Sequence, residues 1–291
     1  MYIIKVFFIS IYFKLESKTF KIHTNNGNKN NIIELYLNIT KYNIVIMSKN
    51  DELPTFITSM AKKRLLKDVK DIIKKPLTEH GIYYVHDEQN ILRGYACILG
   101  PKDSLYANGA YFFRLDFPKD YPYKPPKLTY RTNDGITRFH PNLYRNGKVC
   151  LSILNTWKGE QWTSCQTIKT ILLTLVSLFH NKPLLCEPGL SEKHSDFNPY
   201  NHIIQYKNLE IAIAGIATKR NLPENFIVFF PFIRNNILKE KKYIMNIIEK
   251  ALTSNIEQTE LYVRTYNMRI TINYKKLKET MNLAINKLTE N

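Results

Sequence analysis

Apolar positions become periodic near Met60. Leu65, Leu66, Val69, Ile72 and Ile73 fall at i, i+1, i+4, i+7 and i+8, so they form one stripe along a helix that Pro76 ends. Lys62, Lys63, Arg64, Lys67 and Lys70 fill the other faces. They read as a solvated surface or as a docking face for an acidic partner. Short aromatic and β-branched runs follow at Ile82 to Val85, Leu92 to Leu99, Tyr111 to Phe117 and Lys127 to Tyr130, separated by turn signals such as Gly100-Pro101 and Asn108-Gly109. Consecutive strands at hairpin spacing predict an antiparallel meander rather than βαβ units. Ile168 to Phe179 is apolar nearly all round and predicts a buried helix, with Thr163 or Ser164 as its N-cap. His202 to Ala217 is amphipathic. Phe226 to Phe232 is a dense apolar run interrupted by Pro231, expected to pack on the core. Ile244, Ile247, Ile248 and Ala251 predict one further helix, and Tyr274, Leu277, Met281, Ala284 and Leu288 another. This pair could form a coiled-coil seam, although two heptads are few for one. The whole pattern is α+β.

Two stretches lie outside this periodicity. From Phe117 to Pro126 four prolines, which cannot donate to a ladder, predict a rigid loop between the last two strands. From Lys21 to Lys41 an Asn- and Lys-rich segment predicts disorder. Ahead of it, Val6 to Phe13 faintly imitates a signal peptide with no convincing cleavage site, and Met47 offers an alternative start. Asn38-Ile39-Thr40 fits a glycosylation sequon of the kind chance supplies. The expected organisation is an N-terminal extension over 1–46, a core over 47–218 and a helical extension over 219–291.

Lys and Arg number 42 against 25 Asp and Glu, a formal net charge of +17. This favours acidic partners without choosing among nucleic acid, membrane and protein. A nucleic-acid reading lacks a zinc knuckle, an RNP-like strand or a helix-turn-helix signature. Cys97, Cys150, Cys165 and Cys186 form no Cys-x-x-Cys pair and no zinc-ligand spacing, so they read as reduced thiols of a cytoplasmic or nuclear protein, with no metal expected. A metal shared by Cys186 and His194 carries little weight; His180 and His194 read as loop residues. No run reaches the roughly 18 apolar residues of a membrane span.

Cys150 is the candidate nucleophile. It follows an Asn146-Gly147 turn signal and lies eight residues after Asn142, so a tight turn is expected to present the thiol beside an amide. The alternative is a buried small hydrophobe. The residues from about Ala61 to Ala217 resemble the catalytic domain of the ubiquitin-conjugating enzymes. The resemblance rests on His140-Pro141-Asn142, the spacing to Cys150, the Cys150-Leu151-Ser152-Ile153-Leu154 run, the loop from Tyr121-Pro122 to Pro125-Pro126, and a Trp after the cysteine. Trp157 and Trp162 with Asn181 through Glu187-Pro188-Gly189 make it similar to the large Z-type members.

The resemblance implies the fold of that family: an N-terminal helix, a four-stranded antiparallel meander, an active-site loop and C-terminal helices, here with a helical extension. It implies that Cys150 accepts ubiquitin or a ubiquitin-like modifier as a thioester from an activating enzyme and passes it to a substrate lysine with a ligase. No cofactor is bound, since ATP is used upstream. Asn142 is then either an amide donor to the tetrahedral oxyanion or a pin for the loop. His140 fixes the loop by hydrogen bonding, and Glu187 helps orient the incoming lysine. Lys62, Lys63, Arg64, Lys67 and Lys70 would dock the activating enzyme. Tyr121, Pro122, Pro125, Pro126 and Trp162 would belong to ligase-facing loops, although Ser164 stands where the family has proline. The rival readings are an inactive ubiquitin-binding scaffold of the same fold and a basic nucleic-acid-binding protein.

Overall fold

The computed structural model describes residues 57–253 and 258–290. The expectations for the N-terminal extension, the sequon and the alternative start at Met47 lie outside these residues. Helix α1, Ser59–Lys74, is capped by the Thr58 hydroxyl, which accepts from the Ala61 amide. It buries Leu65 and Ile72, as its stripe predicts, and leaves Lys63, Lys67 and Lys70 exposed. Strands β1 (Ile82–His86), β2 (Arg93–Leu99), β3 (Ala110–Asp116) and β4 (Lys127–Tyr130) form an antiparallel sheet in sequential order, the expected meander.

Side chains alternate across the sheet and both faces are buried. Ile82, Ala96, Ile98, Tyr111, Phe113 and Leu115 point into a core shared with α1 and with α2, Ile168–Ser177. Tyr95, Cys97, Leu99, Ala110 and Phe112 point the other way, into a second core. Its outer wall comes from the C-terminal part of the chain: the Phe226–Phe229 turn, α4 (Phe230–Thr253) and α5 (Tyr274–Glu290). Pro231 does not interrupt this region. It is the second residue of α4, where its missing N–H costs nothing.

Three local differences from expectation have physical causes. The N-cap of α2 is Thr167, not Thr163 or Ser164: its hydroxyl accepts from the Thr170 amide while the Thr170 hydroxyl accepts from the Thr167 amide, so two otherwise orphan donors are paired. The 202–217 segment extends α3 (Phe197–Lys207) into a π-helical stretch, Asn208–Gly215, in which Asn208 is buried between the Tyr111 hydroxyl and the Ala107 carbonyl. The C-terminal extension is helical but also holds a hairpin, β5 (Gln258–Val263) with β6 (Met268–Asn273), that periodicity did not single out. Met268, Ile270 and Ile272 alternate with exposed Arg269 and Thr271, and Asn267 takes the left-handed turn position at φ 45°.

Candidate active site

The Cys150 loop is closed by its own backbone. Leu143 N–H donates to the His140 carbonyl (2.9 Å), Gly147 N–H to the Tyr144 carbonyl (2.9 Å) and Cys150 N–H to the Asn142 carbonyl (2.9 Å). The expected turn at Asn146-Gly147 is present. Gly147 has φ +86°, and a Cβ there would meet the Tyr130 carbonyl oxygen at 2.8 Å, so glycine is required by both backbone and space. Cys150 is 1% exposed.

Asn142 and His140 act on this loop from inside. The Asn142 side-chain amide donates to the Cys150 carbonyl at 2.7 Å, so in this state its N–H is engaged in pinning the loop. His140 Nδ1 accepts the Asn142 amide N–H at 3.1 Å. Its ring is fully buried, and burial, with His180 and Arg138 nearby, pushes its pKa down to about 3. A neutral ring accepting at Nδ1 carries its proton on Nε2, and Nε2 has no hydrogen-bond partner among the described residues. His140 is thus a buried neutral ring tied to the Asn142 backbone.

His140, His180 and Cys186 bring potential metal-ligand atoms within 4.8 Å of one another, a cluster that spacing did not reveal. Its tautomers oppose coordination. His180 Nδ1 accepts the Lys182 amide (3.1 Å) as His140 Nδ1 accepts that of Asn142, which protonates both Nε2 atoms facing the cluster. A metal-bound histidine instead donates its distal N–H to an acceptor. Burial, and then Glu187, raises the Cys186 thiol pKa, which further disfavours the thiolate that a metal needs. His194 caps a separate turn, its Nδ1 accepting the Asp196 amide.

Glu187 ends the Pro183–Cys186 turn, and its carboxylate accepts from the Tyr266 hydroxyl at 2.8 Å. Tyr266 lies in the C-terminal hairpin, so the candidate lysine-orienting residue is held by an element remote in sequence. The docking and ligase-facing residues separate into exposed and structural groups. Lys63, Lys67 and Lys70 are exposed and Lys62 is partly so. Arg64 departs from the expected docking face: it donates to Asp68 (2.9 Å) and to the Ser164 and Gln166 carbonyls (2.5 and 2.6 Å), with its side chain 20% exposed. Tyr121, Pro122, Pro126 and Trp162 are buried, so these four hold their loops rather than face a ligase. Trp162 Nε1 donates to the Pro122 carbonyl at 2.6 Å, and the Tyr121 hydroxyl donates to Asp68 at 2.5 Å. Pro125 is half-buried, and Tyr123 and Lys124 form the exposed tip of that loop.

Residues 64–198 match the family profile described as ubiquitin-conjugating enzyme. Ubiquitin-conjugating enzyme E2 Z of Xenopus tropicalis is 39% identical over 181 residues, which are 58% of this chain and 57% of that protein. The Homo sapiens E2 Z is 39% identical over 156 residues, 53% of this chain and 44% of that protein. The chain thus spans about half the length of these curated relatives. The structure of human ubiquitin-conjugating enzyme E2 G1 is 30% identical, with a TM-score of 0.37, over 47% of this chain and 100% of that one. The profile covers the Asn142–Cys150 loop, both tryptophans and Glu187 together, and with the 34–39% identity to E2 Z proteins, residues 64–198 belong to the ubiquitin-conjugating enzyme family.

Proposed function

We propose that this protein accepts ubiquitin, or a ubiquitin-like modifier, as a thioester on Cys150 and transfers it, with a ligase, to a substrate lysine. The observation that carries the reading is the Asn142–Cys150 loop, in which a thiol sits at the end of a turn whose backbone is fixed by a side-chain amide and a buried imidazole. Charging exchanges one thioester for another: the Cys150 thiolate attacks the carbonyl, the activating enzyme's thiolate leaves, and no net redox change occurs. Transfer forms an amide and returns the Cys150 thiol, the lysine nitrogen losing a proton. Rotation of the Asn142 amide from the Cys150 carbonyl toward the tetrahedral oxyanion would supply a donor worth roughly a hundredfold in rate.

Partner faces follow from exposure. Lys62, Lys63, Lys67 and Lys70 offer a basic surface for an acidic domain of the activating enzyme, and Tyr123, Lys124 and Pro125 are the surface the proline loop offers a ligase. A cytoplasmic or nuclear setting fits four unpaired cysteines; among the described residues no helix is long and apolar enough to cross a membrane. The test is incubation with activating enzyme, ATP and ubiquitin, resolved on a non-reducing gel. A reductant-sensitive adduct is expected from the wild type and none from Cys150→Ala. No adduct with any activating enzyme or modifier tried would reject the reading.

A further inference from the structure

The turn of the C-terminal hairpin, Arg264 to Asn267, grips the Cys150 loop from both sides. Before the loop, the Arg138 guanidinium donates to the His140 carbonyl (3.2 Å) and the Pro141 carbonyl (2.5 Å), the two peptides leading into Asn142. That guanidinium lies 3.4 Å over the Tyr144 ring and 5.1 Å from the Tyr266 ring centroid, so Tyr266 closes one side of its stack. Inside the loop, Arg145 donates to the Tyr266 backbone carbonyl at 2.6 Å. The turn itself is anchored elsewhere: Asp196 accepts from the Thr265 amide (2.8 Å) and hydroxyl (2.6 Å).

From this arrangement we infer that the hairpin turn is an internal brace for the active-site loop and that Tyr266 is a positioning residue for the transfer reaction. The chain of contacts runs from the Tyr266 ring through Arg138 to the His140 and Pro141 carbonyls, then through Asn142 to the Cys150 carbonyl. Loosening it lets the Cys150 backbone wander and misplaces the acyl carbon relative to the incoming amine. Misplacement by an ångström is enough to slow such a step severely. The kinetic arm rests on the proposed conjugating activity; the exchange arm does not.

Two substitutions separate the brace from its neighbouring contact. Tyr266→Phe keeps the ring beside Arg138 and deletes only the hydroxyl bond to Glu187, whereas Tyr266→Ala removes both. Single-turnover discharge of preformed thioester to free lysine is expected to fall roughly tenfold at saturating lysine for Tyr266→Ala, and less than twofold for Tyr266→Phe. Amide hydrogen exchange in the uncharged protein is expected to quicken at Leu143 and Cys150 in Tyr266→Ala while the amides of β2 and β3 keep wild-type protection. Discharge within twofold of wild type, unchanged exchange at Leu143 and Cys150, or Phe as slow as Ala would each overturn the brace. If Tyr266→Ala loosens the sheet as well, Arg145→Gln carries the test. It removes the second grip from a half-exposed position, and unchanged protection at Cys150 there would also overturn the inference. A wild type that never charges rejects the enzymatic reading, with the exchange comparison still deciding the brace.

Discussion

His140 illustrates at the residue scale how a motif places an imidazole without conveying its surroundings. Its place in His140-Pro141-Asn142 points to loop support, and its Nδ1 accepts the Asn142 amide N–H. What sequence did not convey is complete burial, which depresses the folded-state pKa to about 3 from about 6.5 unfolded. Below pH 6.5 the unfolded chain takes up a proton that the folded chain refuses. Stability from neutral His140 is therefore full above pH 6.5 and is lost as pH falls toward 3, by about 2 kcal/mol between pH 7 and 5. Chemical denaturation at both pH values should give wild type a loss that much larger than His140→Gln; equal pH dependence in the two proteins would refute it. Glu187 is the opposite case. Its position came from the resemblance, and its bond to Tyr266, 79 positions along the chain, carried no local signal.

Among the elements, α1 shows where periodicity succeeds and where it stops. The apolar stripe names its buried face, but a charge pattern does not distinguish a solvated cation from one folded inward. Buried Asp68 sits on that helix and accepts from both Arg64 and Tyr121, tying α1 to the proline loop while Arg64 reaches the Ser164 and Gln166 carbonyls. Arg64→Ala leaves a buried carboxylate short of a cation and is expected to cost about 2–4 kcal/mol in equilibrium unfolding. Lys67→Ala, on the exposed face, should stay within about 0.5 kcal/mol and yet weaken docking of the activating enzyme. Similar unfolding costs for the two would refute the distinction. The hairpin was legible in principle through the alternation Met268, Ile270, Ile272, but strong helical periods on both flanks drew the whole extension into one class.

For the whole molecule the unbroken apolar runs of β2 and β3 are the informative feature. A meander with one solvated face should alternate apolar and polar residues, whereas strands buried on both faces read as continuous hydrophobes. Tyr95 through Leu99 and Ala110 through Phe113 follow the second pattern, and the chain's own C-terminal part covers the outer face. The extension is therefore integral to the fold rather than an appendage. Ending the chain at Lys219 takes Phe226 away from Tyr95 and Phe112, removes most of the second core's outer wall, and removes the turn that grips Arg138 and Arg145. Such a truncation should aggregate or lose its cooperative thermal transition. A soluble truncated protein with wild-type melting would contradict this architecture. The +17 charge, by contrast, explains little of the fold; its interpretable part is the exposed lysines of α1.

The central claim, that Cys150 carries the acyl group, is tested most directly by intact-mass measurement after charging wild type and Cys150→Ser side by side. Wild type should gain the mass of one modifier less one water and lose it on treatment with thiol. A modified Cys150→Ser should hold any adduct as an oxygen ester that the same thiol leaves in place, because thiol exchange cleaves the thioester far more readily. A wild-type adduct that survives thiol, or a thiol-labile adduct of equal yield on Cys150→Ser, would place the acyl group elsewhere and contradict the account.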